Sequence, residues 1–155
     1  MNKVILVLFL LLTLIPIGCN EQTSETVDAQ DKVYAFLMDM NPDLYRAMLK
    51  MREEVTLADK NIQKLYELKG MYPDQRNMIN KSIKQWQSLR KTLNGTLRDI
   101  HDKIEKAYVV YRIDDIQGKY NFGMIAGDLL KEANAVLANA IATKSLIEEE
   151  LRKPK

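Results

Sequence analysis

Cysteine and histidine each occur once in the 155 residues, and this scarcity excludes most site chemistry. Cys19 has no partner for an internal disulfide. His101 alone cannot build a histidine-rich zinc site. A di-iron bundle site needs Glu-x-x-His pairs from two helices, and Arg98 stands where the acid before His101 would be. No glycine-rich phosphate loop is present, and six glycines and four prolines are too few for a loop-rich fold. An excess of one charge is also missing: 23 Lys and Arg against 21 Asp and Glu leave a net +2. That is no electrostatic footprint for nucleic acid. β-branched alternation is nearly absent, which argues against strands. The acidic groups Glu53-Glu54, Asp114-Asp115 and Glu148-Glu149-Glu150 lie off the apolar stripes, so they read as solvated faces, and His101 reads as a helix-surface residue. The expectation is a non-enzyme with no catalytic, cofactor-binding or metal-ligating residues and no small-molecule substrate.

What is present begins at the N-terminus. Lys3 precedes an apolar run, Val4 to Ile15, broken only by Thr13. Pro16, Ile17, Gly18 and Cys19 follow, and polar chain starts at Asn20. This is the layout of a secretory signal with a small residue before the cleavage point. The run is shorter than the roughly 20 residues that span a bilayer. An uncleaved anchor and ordinary secretion are the competing readings. Ile17-Gly18-Cys19 resembles the bacterial lipoprotein signal, in which a branched or small residue and Gly or Ala precede the Cys. Pro16 stands here where that signal usually has leucine. The resemblance covers about the first twenty residues. It implies cleavage before Cys19 and attachment of diacylglycerol to its sulfur, with further acylation of the palmitate type. Asn20 is not the aspartate associated with inner-membrane retention. The resemblance therefore implies the inner leaflet of the outer membrane in a two-membrane cell, and the outer face of the cell membrane in a one-membrane cell.

Residues 1–18 are thus a signal peptide, 19–26 a lipidated flexible tether, and 27–153 a helical domain. Cleavage removes 18 of the 155 residues and only Lys3 among the charges, leaving 137 residues and a net +1. The first stripe is Val33, Leu37, Met40, Leu44, Met48, Met51, Val55, Ala58, Ile62 and Leu65, at helical three-and-four spacing. Asn41-Pro42 interrupts it in the arrangement of an N-cap followed by a first-turn proline. The spacing predicts helices over about 27–40 and 42–69, as one kinked rod, ended by Gly70 as a left-handed cap and by Pro73. A second stripe, Ile79 to Tyr111 through Trp86, predicts a helix over about 74–117. It passes in phase through Asn94-Gly95, with a break there as the alternative. Gly118 to Gly123 reads as a turn. The alanine-rich stripe from Ile125 to Leu151 predicts a helix over 122–152. The expected fold is all-α: an elongated, up-down-up, three-helix antiparallel bundle, coiled-coil-like.

Tyr108, Tyr111, Tyr120 and Phe122 cluster at the expected second turn and read as core packing or as a contact surface. A short tether at Cys19 would turn that end toward the membrane. Met48 and Met51 fall on the core stripe. The functional expectation is an envelope lipoprotein, anchored to the membrane by its N-terminal lipid, whose bundle is an interaction or scaffold module for an unidentified protein partner. Inhibition of an exported enzyme is a variant of that role. The basic end, Arg152-Lys153-Pro154-Lys155, together with the lipid signal and helical body, also resembles the major outer-membrane murein lipoprotein. That resemblance implies a tether joined to peptidoglycan through Lys155.

Overall fold

Asn41 divides the first two helices, and its two backbone groups serve both. Its N–H donates to the Leu37 carbonyl at 2.8 Å, closing the last turn of helix α1 (32–40), and its carbonyl accepts from Tyr45 N–H at 3.2 Å. Its side-chain Oδ1 accepts from the Leu44 N–H at 3.0 Å, capping α2 (Pro42–Met71), and Pro42 occupies the first turn, where a missing N–H costs nothing. This computed structural model describes residues 32–113 and 115–152, and of Asp115 only the backbone. The remaining helices are a 3-10 turn (Pro73–Gln75), α3 (Arg76–Ile113) and α4 (Asp115–Arg152). Among the described residues there is no strand. The chain is all-α, and from Val33 onward it packs as one helical bundle.

The kinked rod is not what forms at Asn41. Tyr34 lies against Tyr45, with ring centroids 6.4 Å apart, and its hydroxyl accepts from Arg52 Nη2 at 2.5 Å. In one continuous rod Tyr34 and Arg52, 18 residues apart, would be separated by about 27 Å. Asn41, at φ −149° and ψ 78°, is extended rather than helical, so α1 turns back against the bundle. Buried Val33 and Leu37 then pack into the same core as α2 and α3.

Gly70 is not a left-handed cap either. α2 continues through Gly70 and Met71 and stops at Tyr72, whose N–H still donates to the Leu68 carbonyl at 2.9 Å. Tyr72 sits at φ −122° and ψ 77° because the ring of Pro73 excludes the helical region for the residue before it. The proline alone ends the helix. α3 runs unbroken through Asn94-Gly95, where both residues are exposed and a Cβ on Gly95 would meet nothing.

The expected turn over Gly118–Gly123 is also overturned. α3 ends at Ile113 and α4 begins at Asp115, so Gly118 and Gly123 lie inside α4. Gly118 is buried, and a Cβ there would fall 2.5 Å from the Tyr111 Cα. It serves close approach of two helix backbones, the other physical use of glycine.

The core is a long seam. Leu44, Met48, Met51, Ala58, Ile62 and Leu65 come from α2, and Ile79, Ile83, Trp86, Leu93, Ile100 and Ile104 from α3. In α3 the stripe shifts by one residue at mid-length: Leu89 is buried and Arg90 turns outward to Asp59, at 2.6 Å. From α4, Ala126, Ala133, Ala140 and Ile147 recur every seven residues, and all are buried. Cross-helix polar contacts define the register: Gln87 donates to the Tyr66 hydroxyl at 3.3 Å, Lys81 pairs with Glu150 at 2.8 Å, and Lys144 with Glu54 at 3.1 Å. Most of these pairs are exposed and contribute at most about 1 kcal/mol each, whereas a fully buried Leu or Ile contributes about 1.5–3. Packing of the stripes therefore decides the fold.

Candidate functional site

The two residues expected to carry attachment chemistry, Cys19 and Lys155, lie outside the described residues. Among the described residues no helix is long and apolar enough to cross a membrane. The candidate surfaces are therefore those of the bundle.

His101 departs from its expected place on the surface. Its side chain is only 19% exposed, and its ring lies tilted against Tyr34 with centroids 5.7 Å apart. Nε2 is buried with no hydrogen-bond partner among the described residues. Nδ1 lies 3.8 Å from the Asp102 carboxylate, and a ligand atom each from His101, Asp102 and Glu105 fall within 4.8 Å of one another. Glu105, four residues on and thus on the same face, is the member that sequence reasoning missed. The Asp102 and Glu105 side chains are exposed, so the group reads as a solvated acid pair beside a half-buried imidazole. Phe36 was not read as a site residue either. The fold-back of α1 places its ring on Tyr108, Tyr111 and Phe122 at 4.9, 4.5 and 4.6 Å. Such tilted and edge-on pairs add about 0.5–1.5 kcal/mol each beyond area burial. No sequence signal announces this, because Phe36 lies off the stripe of α1.

The acidic groups do not behave alike. Glu53, Glu148 and Glu149 are exposed, as expected. Glu54 is not solvated: its side chain is 16% exposed, and both carboxylate oxygens accept from Lys144 Nζ, at 3.1 and 3.2 Å. Lys103 bridges Asp99, at 2.5 Å, and Glu132, at 3.6 Å. Its hydrogen bond to the Asp99 carboxylate raises its pKa above the ordinary lysine value of 10.5, desolvation opposes this, and Glu132 adds to the rise. These are ion pairs within and between the helices.

The aromatic cluster splits in two. Phe122 is buried and Tyr108 and Tyr111 are half-buried under Phe36, while Tyr120 is exposed. Outside the rings, the α3–α4 end carries Val109, Val110, Ile113, Ile116, Tyr120 and Met124, all at least half exposed, with Ile113 at 83% and Ile116 at 86%. A groove of about 460 Å³ runs between the two helices there, floored by Ala107, Val110, Phe122 and Ile125 and rimmed by Lys103 and Lys106. Two further grooves are more polar. One, of about 300 Å³, holds Gln85, whose Oε1 is buried without a partner among the described residues, beside Ser88, Thr92 and Asn139.

Fold and surfaces together define a helical bundle whose most distinctive feature is an apolar end. No protein-family model matches the chain, and no curated protein or solved structure matches it.

Proposed function

We propose that this chain is a bacterial envelope lipoprotein, lipidated at Cys19, whose bundle is a non-catalytic interaction or scaffold module. The observation that carries the reading is Ile17-Gly18-Cys19 at the end of an apolar run opened by Lys3. In this reading α2, α3 and α4 form an up-down-up antiparallel bundle of coiled-coil character. The pairs 66–87, 59–90 and 81–150 support it, since numbers rise along one helix as they fall along the next. The seven-residue recurrence of Ala126, Ala133, Ala140 and Ile147 supports the coiled-coil character. The partner is a protein of the envelope, taken up by a helix face rather than by a pocket; an exported enzyme held inhibited is one form it could take.

The basic end favours a second reading, a tether joined to peptidoglycan through Lys155. Metabolic labelling with a fatty-acid analogue tests the anchor: wild type takes up label, and Cys19→Ala loses it and leaves the membrane fraction. Equal labelling of the two overturns the lipoprotein reading. Muramidase digestion and mass spectrometry of the C-terminal peptide, run on the same cells, separate tether from scaffold by a muropeptide on Lys155.

A further inference from the structure

We propose that the apolar α3–α4 end rests in the interfacial layer of an uncharged, zwitterionic bilayer, so that the lipidated chain contacts its membrane at two places. The inference rests on the lipoprotein reading of Cys19 and adds the surface that reading leaves unassigned.

Three observations carry it. First, the exposed apolar residues join into one surface. Val110 and Met124 line the same groove. Ile113 stands one turn beyond Val110, and Ile116, Tyr120 and Met124 follow one another at four-residue intervals along α4. Contiguous apolar area of this kind on a monomer marks a contact surface.

Second, the anchor enters at this end. Tyr34 lies on His101, about 18 Å along α3 from Ile113 and about 38 Å from Arg76. Residues 19–31 span at most about 45 Å when extended. A lipid on Cys19 thus holds this surface, the nearer of the two ends, within reach of the bilayer at high effective concentration, which favours lipid over a second copy or a soluble protein as its occupant.

Third, the local charge fits an uncharged headgroup layer. Over 105–124 the sequence carries Lys106, Arg112 and Lys119 against Glu105, Asp114 and Asp115, which balance. Lys103 on the groove rim is already engaged by Asp99 and Glu132. Attraction to anionic lipid is therefore weak, and apolar burial supplies the contact. Tyr120 suits the boundary, with an apolar ring and a polar tip.

The test uses the full lipidated chain reconstituted into phosphatidylcholine and phosphatidylethanolamine vesicles. With Cys19 modified, a cysteine introduced as Tyr120→Cys or Met71→Cys is the sole free thiol and accepts an environment-sensitive fluorophore. Positions 71 and 120 lie toward opposite ends of the bundle, roughly 45 Å apart along its axis. Expected is stronger quenching by lipid-borne quenchers at 120 than at 71. Val109→Asp with Ile113→Asp, both at exposed sites, should abolish it while the protein still floats with the vesicles and keeps its helical circular dichroism. Replacing a third of the lipid by an anionic one should leave the quenching unchanged. A floating protein with equal quenching at the two positions, or stronger at 71, overturns this inference alone. Quenching that requires anionic lipid and vanishes in salt overturns the uncharged surface. A label at 120 shielded from both water and lipid in cross-linkable dimers shows a second copy in its place. A wild-type chain that does not float fails the lipoprotein reading itself and takes this inference with it.

Discussion

Replacing Gly118 by alanine should destabilise the bundle, although the same change at Gly95 should stabilise it. Both glycines lie inside helices, so the propensity gain is about 1 kcal/mol in each case. At Gly95 nothing within 4 Å opposes the new methyl, and the gain survives. At Gly118 the methyl would stand 2.5 Å from the Tyr111 Cα, 3.2 Å from its nitrogen and 3.3 Å from its oxygen. Ordinary carbon–carbon contact needs about 3.5–4.0 Å, so α3 and α4 must separate by about 1 Å. Those atoms are backbone and cannot swing aside. The separation also loosens Phe36, whose ring lies on Tyr111 and Phe122. Overpacking of this kind costs about 1–3 kcal/mol, and opposition by backbone places it at the upper end. Net of propensity, Gly118→Ala should lose about 2 kcal/mol. Urea denaturation of the chain, followed by circular dichroism, measures both variants. Gly118→Asn separates close approach from a turn: asparagine is tolerated in a left-handed turn, but here it should cost more than alanine. A Gly118→Ala chain as stable as wild type, or an asparagine variant milder than alanine, would refute the close packing of Gly118 on Tyr111.

Other outcomes follow from burial. Ile100→Ala removes a side chain with no exposed surface and should cost about 2–5 kcal/mol, while Leu97→Ala, only half-buried, should cost distinctly less; equal midpoint shifts in urea would contradict the registry of α3. Tyr34→Ala removes the ring packed against His101 and the acceptor for Arg52, so α1 should detach, read as faster proteolysis near residues 32–40 with the remaining helices intact. Unchanged cleavage there would mean that Phe36 and Leu37 hold α1 without it.

Much of the fold was legible in residue spacing. The stripes of α2 and α3 predicted their helices to within a few residues, and Asn41-Pro42 announced its own cap, because capping is local and reads out over four residues. The errors share one cause. A glycine signals that a side chain is unwanted, without saying whether the reason is a positive φ or a neighbour at contact distance. At Gly118 the neighbour is Tyr111, seven residues back in sequence but across the interface of two helices. At Gly70 there is neither, and Pro73 alone ends the helix. The same limit hid Phe36 over Tyr111 and misplaced Glu54 on a solvated face, whereas Glu105 beside His101 was legible as an i,i+4 pair. Phe36 and Glu54 become notable only when a second helix arrives beside them.

By itself, then, the chain's order of residues determined an all-α domain, the face each long helix buries, and a candidate lipid attachment at Cys19, all from patterns within one element or one short motif. Only the tertiary structure decided that α1 folds back, that α3 ends at Ile113 and α4 begins at Asp115, and that Ile113, Ile116 and Tyr120 are exposed while Phe122 is buried. Those outcomes depend on which helix faces meet. An apolar residue carries the same hydrophobicity whether or not a neighbour covers it, so the packed geometry alone separates core from contact surface.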